Sequence, residues 1–320
     1  MDSRRPVWLV ALLLALAAST ASAKPKIYIL SVKDAYDSWT DHIKLAERIL
    51  YYLDKAAKDL GLSFDVEVVD SIEKWEKLMN DPPLNAVVIN AHGEAIPVPP
   101  KYGTDWPSFL RDLATNMVGG WVFVNPIGYG FYYVNYNYTR RPDGKWNWTF
   151  STVGDSGLAT VASALGIGAS VPGQGGLWMT DLGKHVFGVL GYDMPNPANA
   201  NRPLVTNVPV SWYFYSARIG AEVRYACVEI NFGTGALLWG GWAQAPEDEQ
   251  ARVAVAMVLY HLFPSEIQAA QPKSSPSFFS WFISTLLRYP PLLFVLGWGI
   301  AIVVAAAVIL LRMKGSRKES

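Results

Sequence analysis

Asn90, His92 and Glu94 cluster around Gly93, directly after the apolar, β-branched run Ala86 to Ile89. An amide, an imidazole and a carboxylate at a strand end can supply a general base and its orienter, or bind a sugar hydroxyl. In open α/β sheets ligands bind in the crevice beyond the carboxyl ends of the strands, so these residues mark the expected working edge. The plainer reading has Asn90 and His92 bonding loop backbone and holding the shape of the turn. Other chemistry is sparse. His42, His92, His185 and His261 are scattered singly, with no His-x-x-x-His spacing and no cysteine pair, so no metal site and no cofactor are expected. His42 and His261 fall on helical stretches, where a surface or packing role is the default. The glycine-rich stretch 172–176 lacks the lysine and the strand-to-helix setting of a phosphate loop and reads as a turn.

The elements that must hold this edge follow from hydrophobic period. Lys26 to Leu30 reads as the first strand of the mature chain. A helix follows from Ser38, with Leu45, Ile49, Tyr52, Leu53 and Ala56 at helical spacing until Gly61 stops it. Phe64 to Val69 alternates as a second strand, and Ser71 caps a helix running to about Met79. After the organising strand come a helix from Trp106 to Met117 and a strand from Trp121 to Val124. Strand and helix alternating in this way predict parallel, right-handed crossover units. Further helices are expected at Asp155 to Leu165 and Asp181 to Leu190. Strands are expected at Val210 to Tyr215, Val223 to Ile230 and Ala236 to Gly240. Pro246 opens a last helix with Glu247, Asp248 and Glu249 in its first turn, where the macrodipole favours acids. The expected fold class is α/β, a three-layer sandwich around a mostly parallel sheet, spanning residues 24–265.

One insertion, residues 131–150, alternates across a Pro142-Asp143-Gly144 turn. The implied hairpin register pairs Tyr138 with Trp148, Tyr136 with Phe150 and Arg140 with Trp146. Asn137, Thr139, Asn147 and Thr149 would share the other face. Tyr136, Tyr138, Trp146 and Trp148 are the candidates for contact with a partner or a glycan, because aromatic faces beside amides suit carbohydrate rings. Asn137-Tyr138-Thr139 and Asn147-Trp148-Thr149 are glycosylation sequons. Asn125, Tyr129, Tyr132 and Trp242 are the remaining candidates to line a ligand pocket beside Asn90.

The two ends of the chain lead to the expectation that this domain lies outside the cytoplasm. Of 320 residues, 51% are hydrophobic, and 27 basic and 27 acidic side chains leave no net charge, which gives nucleic acid nothing to bind. Arg4 and Arg5 precede an apolar run and then Ala21-Ser22-Ala23, the pattern of a cleaved signal over residues 1–23. Pro290 to Leu311 contains no charged residue and is long enough for a transmembrane helix. Arg312, Lys314, Arg317 and Lys318 follow it, which orients the tail, residues 312–320, to the cytoplasm. Residues 266–289 form a linker and an aromatic interfacial collar. The expectation is a single-pass protein of the cell membrane, with its N-terminal domain extracytoplasmic. The only cysteine, Cys227, lies in the strand-like run YACVEI and reads as a buried small hydrophobe.

The order of elements, with GALLWGGWA leading into the acidic-capped last helix, resembles the class I glutamine amidotransferase-like fold, and its trehalose-utilisation-type members most. True amidotransferases carry a cysteine in a Gly-x-Cys-x-Gly elbow after a strand. Here the fourth strand runs into Val124-Asn125-Pro126-Ile127-Gly128. No thiol stands there to form a thioester, so the resemblance implies a domain that is not a glutaminase. His92-Gly93 and Ala226-Cys227 are similar to the His-Gly and Ala-Cys pairs of caspase-type peptidases, but Cys227 lies several elements too far downstream. A non-catalytic oligosaccharyltransferase subunit is similar in architecture alone, an amidotransferase-like ectodomain on one C-terminal span. The expected role is a binding or assembly module that contacts the bilayer, a membrane complex or a glycan. The alternative is a hydrolase of a glycan or small polar substrate using His92 and Glu94.

Overall fold

The computed structural model describes residues 24–33, 35, 40–93, 96–103, 105–126, 134–143, 146–152, 163, 168–170, 176–199, 204–206, 208–242 and 245–272. The first strand, β1 (Lys26–Leu30), is followed by α1 (His42–Leu60), β2 (Asp65–Val69), α2 (Ile72–Asn80) and β3 (Val87–Asn90). Then come α3 (Trp106–Val118), β4 (Val122–Asn125), the ribbon β5 (Val134–Arg140) and β6 (Trp146–Thr152), β7 (Gly168–Ser170) and β8 (Trp178–Met179). The chain continues with α4 (Asp181–Leu190), β9 (Leu204–Thr206), β10 (Val210–Ile219), β11 (Glu222–Phe232), β12 (Gly235–Trp239), α5 (Glu247–Leu262) and α6 (Pro264–Ala269).

Among the described residues ten strands join one sheet in the order β2-β1-β3-β4-β12-β11-β10-β8, with β9 on β11 and β7 on β9. The run from β2 to β12 is parallel throughout. Beyond it β11, β10 and β8 extend the sheet antiparallel. The chain steps one way from β1 to β2 and the other way from β2 to β3 and β4. Right-handed crossovers therefore place α1 on one face and α2 and α3 on the other. Two apolar clusters record this. Ile27, Ile29, Val87, Ile89 and Val124 pack with α1, α4 and α5. Tyr28, Leu30, Val88 and Phe123 pack with α2 and α3. The reversal makes the gap between the ends of β1 and β3 a topological switch point.

The helix ends follow their sequence signals. Asp41, rather than a residue near Ser38, caps α1 by accepting Lys44 N–H, and Gly61 closes the helix in the left-handed region. Ser71 caps α2 through Lys74 N–H. Helix α5 is buried on nearly every side, from Val253 to Tyr260, as a helix enclosed by α1, α4 and the sheet must be. Beyond residue 265 the chain stays on this body, for Ile267 is fully buried and its carbonyl meets His185 Nε2 at 3.0 Å.

Strands β5 and β6 form a separate two-stranded sheet whose register pairs Tyr136 with Phe150, Asn137 with Thr149, Tyr138 with Trp148, Thr139 with Asn147 and Arg140 with Trp146. Those are the pairs that the Pro-Asp-Gly turn implies. The chain divides into two units, Met1–Pro272 and Lys273–Ser320. The second unit, where the collar, the span at 290–311 and the tail are expected, lies outside the described residues, as do the expected signal at 1–23 and all but one residue of the expected helix at 155–165. Among the described residues no helix is long and apolar enough to cross a membrane.

Candidate functional site

The ends of the parallel strands collect the polar residues of the interior. Eleven polar or charged residues are buried among those described, and eight of them lie here: Ser31, Thr40, His42, Asn90, His92, Asn125, Glu249 and Gln250. Burying a polar group is costly unless it is bonded, so such a concentration at one edge calls for a physical account.

The turn after β3 explains His92. Asn90 is fully buried; its Nδ2 donates to Gly93 O at 2.7 Å, and its Oδ1 accepts His92 N–H at 3.1 Å. This side-chain-closed turn needs Gly93 at φ +63° and throws the imidazole sideways toward β1. There His92 Nε2 accepts the Val32 N–H at 2.8 Å. His42, the first residue of α1, lies against His92 with ring centroids 4.0 Å apart and planes tilted by 33°. Its Nδ1 meets Ser31 Oγ at 2.9 Å, and Ser31 Oγ also donates to His42 O at 3.3 Å. The chain thus crosses the switch point through Ser31, Val32, His42, Asn90 and His92.

A second cluster closes the neighbouring strand ends. Gly240 N–H donates to Asn125 O at 2.9 Å and Trp242 N–H to Pro126 O at 3.2 Å. A Cβ at Gly240 would lie 1.9 Å from Pro126 O, so only glycine lets these backbones approach. Glu249 Oε1 accepts Trp242 Nε1 at 2.5 Å, Asn196 N–H at 3.1 Å and Asn199 Nδ2 at 3.0 Å. Gln250 takes Thr40 Oγ1 at 3.4 Å and reaches Ala245 O at 2.8 Å, joining the starts of α1 and α5.

An imidazole whose Nε2 accepts a backbone N–H is neutral and carries its proton on Nδ1, which leaves that ring no lone pair for a general base. The thiol is equally unsuited to attack. Cys227 is fully buried, donates to Gly240 O at 3.6 Å, and is held well above the usual thiol range by burial and then by the charge of Glu249. Trp242, a candidate to line a pocket, is fully enclosed, its ring 4.7 Å from that of Tyr215 and its indole N–H donated to Glu249. Asn90, His92 and Asn125 are brought to one edge as expected. Glu94, Tyr129 and Tyr132 lie outside the described residues; for Tyr136, Tyr138, Trp146, Trp148, Asn137 and Asn147 the strand positions are described. Sequence reasoning missed Ser31, Thr40, His42, Glu249 and Gln250. Ser31 was within reach, since the rule applied to the end of β3 applies equally to the end of β1. Of the surface or packing role expected for His42, the structure shows packing, with its ring buried against His92.

Among the described residues no three metal-ligating side chains converge. A cavity of about 450 Å³ lies elsewhere, between α2 and β2, lined by Lys26, Tyr28, Glu67, Lys74 and Lys77 among others. Two of its lysines already face acids, Lys26 with Glu67 at 2.8 Å and Lys74 with Asp70 at 2.7 Å. No protein-family model matches the chain, and no curated protein is significantly similar to it.

Proposed function

We propose that the chain is a non-catalytic binding or assembly module, an extracytoplasmic three-layer α/β domain of amidotransferase-like type held at the cell membrane by one C-terminal span. The observation that carries this reading is the bond from Val32 N–H to His92 Nε2, which makes the imidazole a brace for backbone. Asn90 is bonded within its own turn and Trp242 is enclosed beside Glu249, so these described side chains at the strand ends serve the fold. In the amidotransferase-like reading, Asn125 and Pro126 fall at the position of the nucleophile, and neither can form the thioester. The hydrolase alternative with His92 as its base requires the lone pair that His92 gives to Val32.

The contact surface in this reading is the aromatic side of the β5–β6 ribbon, at Tyr136, Tyr138, Trp146 and Trp148. Full-length protein, purified after cross-linking in its native membranes, should retain a defined partner. W146A/W148A should lose most of that partner, and H92Q should keep it. Turnover of glycan or amide substrates that disappears in H92Q would sink the proposal and restore the hydrolase.

A further inference from the structure

The ribbon carries a second pattern. Its register sets Asn137 opposite Thr149, Thr139 opposite Asn147 and Asn135 opposite Ser151. Directly opposed residues of an antiparallel pair share a face, and so do alternate residues along each strand. One face therefore collects Asn135, Asn137, Thr139, Asn147, Thr149 and Ser151, all amides and hydroxyls. The other collects Tyr136, Tyr138, Trp146, Trp148 and Phe150. Both sequons have their asparagine and their threonine on the first, polar face.

The two sequons run antiparallel across the ladder, so their asparagines, ten residues apart in sequence, are diagonal neighbours about 7–8 Å apart. A hydrated oligosaccharide is broader than that interval. We propose that Asn137 and Asn147 form a single N-glycosylation site, filled once per chain, on the face away from the aromatic residues. The inference rests on the domain being exported, as proposed above. In the transfer, the amide nitrogen of one asparagine attacks the anomeric carbon of a lipid-phosphate-linked oligosaccharide. The new C–N bond replaces the C–O bond to the lipid phosphate, which leaves with the electron pair, and an amide proton passes to a base of the transferase. On the folded ribbon the first glycan covers the second acceptor and prevents a second transfer.

The test is intact-mass measurement on the full chain purified from its own membranes, as wild type, N137Q, N147Q and the double variant. One glycan mass is expected on each of the first three and none on the fourth, with circular dichroism unchanged throughout. External protease on intact cells reports export separately. A domain cleaved from outside but bare of glycan overturns the proposal and leaves the export reading standing; a protected domain overturns both. Two glycans on the wild type, or a glycan lost in either single variant, overturns the shared site.

Discussion

His92 and Gly240 each hold backbone segments together at the strand ends. Replacing His92 by alanine leaves the Val32 N–H buried without its acceptor, a loss of about 1–3 kcal/mol. Glutamine places an amide oxygen at about the reach of Nε2, so H92Q should lose distinctly less than H92A in urea unfolding. Equal losses would mean that the bond contributes nothing. At Gly240 the clash is with backbone, Pro126 O at 1.9 Å from the added carbon, and backbone cannot rotate away as a side chain can. G240A should lose on the order of 4 kcal/mol or more, or fail to fold, with the damage centred where β12 meets β4. A G240A chain that melts like wild type would show that these backbones are not in close contact.

At the scale of elements, α5 is tied to the antiparallel strands by one acceptor. Glu229 Oε2 takes His261 Nδ1 at 2.6 Å from the last turn of α5, and Trp212 Nε1 at 2.9 Å from β10. E229A leaves both donors without that oxygen and should lower stability by about 1–3 kcal/mol, read as a fall in Tm. Glu47, exposed on α1, should give almost nothing when replaced by alanine, and similar falls for the two would refute the tie. The elements themselves were largely legible. Lys26–Leu30 and Asp181–Leu190 fall where period, caps and glycines put them, and the ribbon register follows from its turn. What escaped has physical causes. Strands β7, β8 and β9 are two or three residues long, too short for any period to register. The edge residues escaped because burial of Thr40, His42 and Glu249 is fixed by how α1 and α5 meet, which no local pattern encodes.

For the molecule as a whole, charged pairs between elements set the response to pH. Hydrogen bonds from Lys74 and then Lys33, outweighing the upward push of burial, hold Asp70 below its ordinary value. Burial pushes Glu247 up, but the hydrogen bond and charge of Lys44, with backbone donors, outweigh it and leave a net lowering. Both carboxylates therefore stabilise the fold above the unfolded carboxylate range, about pH 4, and that stabilisation is lost as pH falls through their lowered values. At the other end, burial and the Asp248 acceptor push Tyr52 up to about 12. Its contribution is complete below the unfolded tyrosine value of about 10 and is lost as pH rises through the folded one. Urea midpoints across pH should show a plateau with a fall on each side. Y52F should flatten the alkaline fall, and D70N the acid one, each modestly because both groups are partly exposed. Midpoints that ignore both substitutions would rule these groups out.

The place of β12 has a consequence for how the chain is made. This strand lies between β4 and β11, yet it is synthesised more than a hundred residues after β4, with the ribbon and the antiparallel strands in between. Until it arrives, β4 keeps an open border and the N-terminal half has no finished middle. A nascent polypeptide still emerging from the ribosome would therefore stay incompletely folded until most of the domain was made. Ribosome-stalled chains ending before Gly235 should be digested by protease throughout β1 to β4, whereas chains extended past Pro272 should resist there.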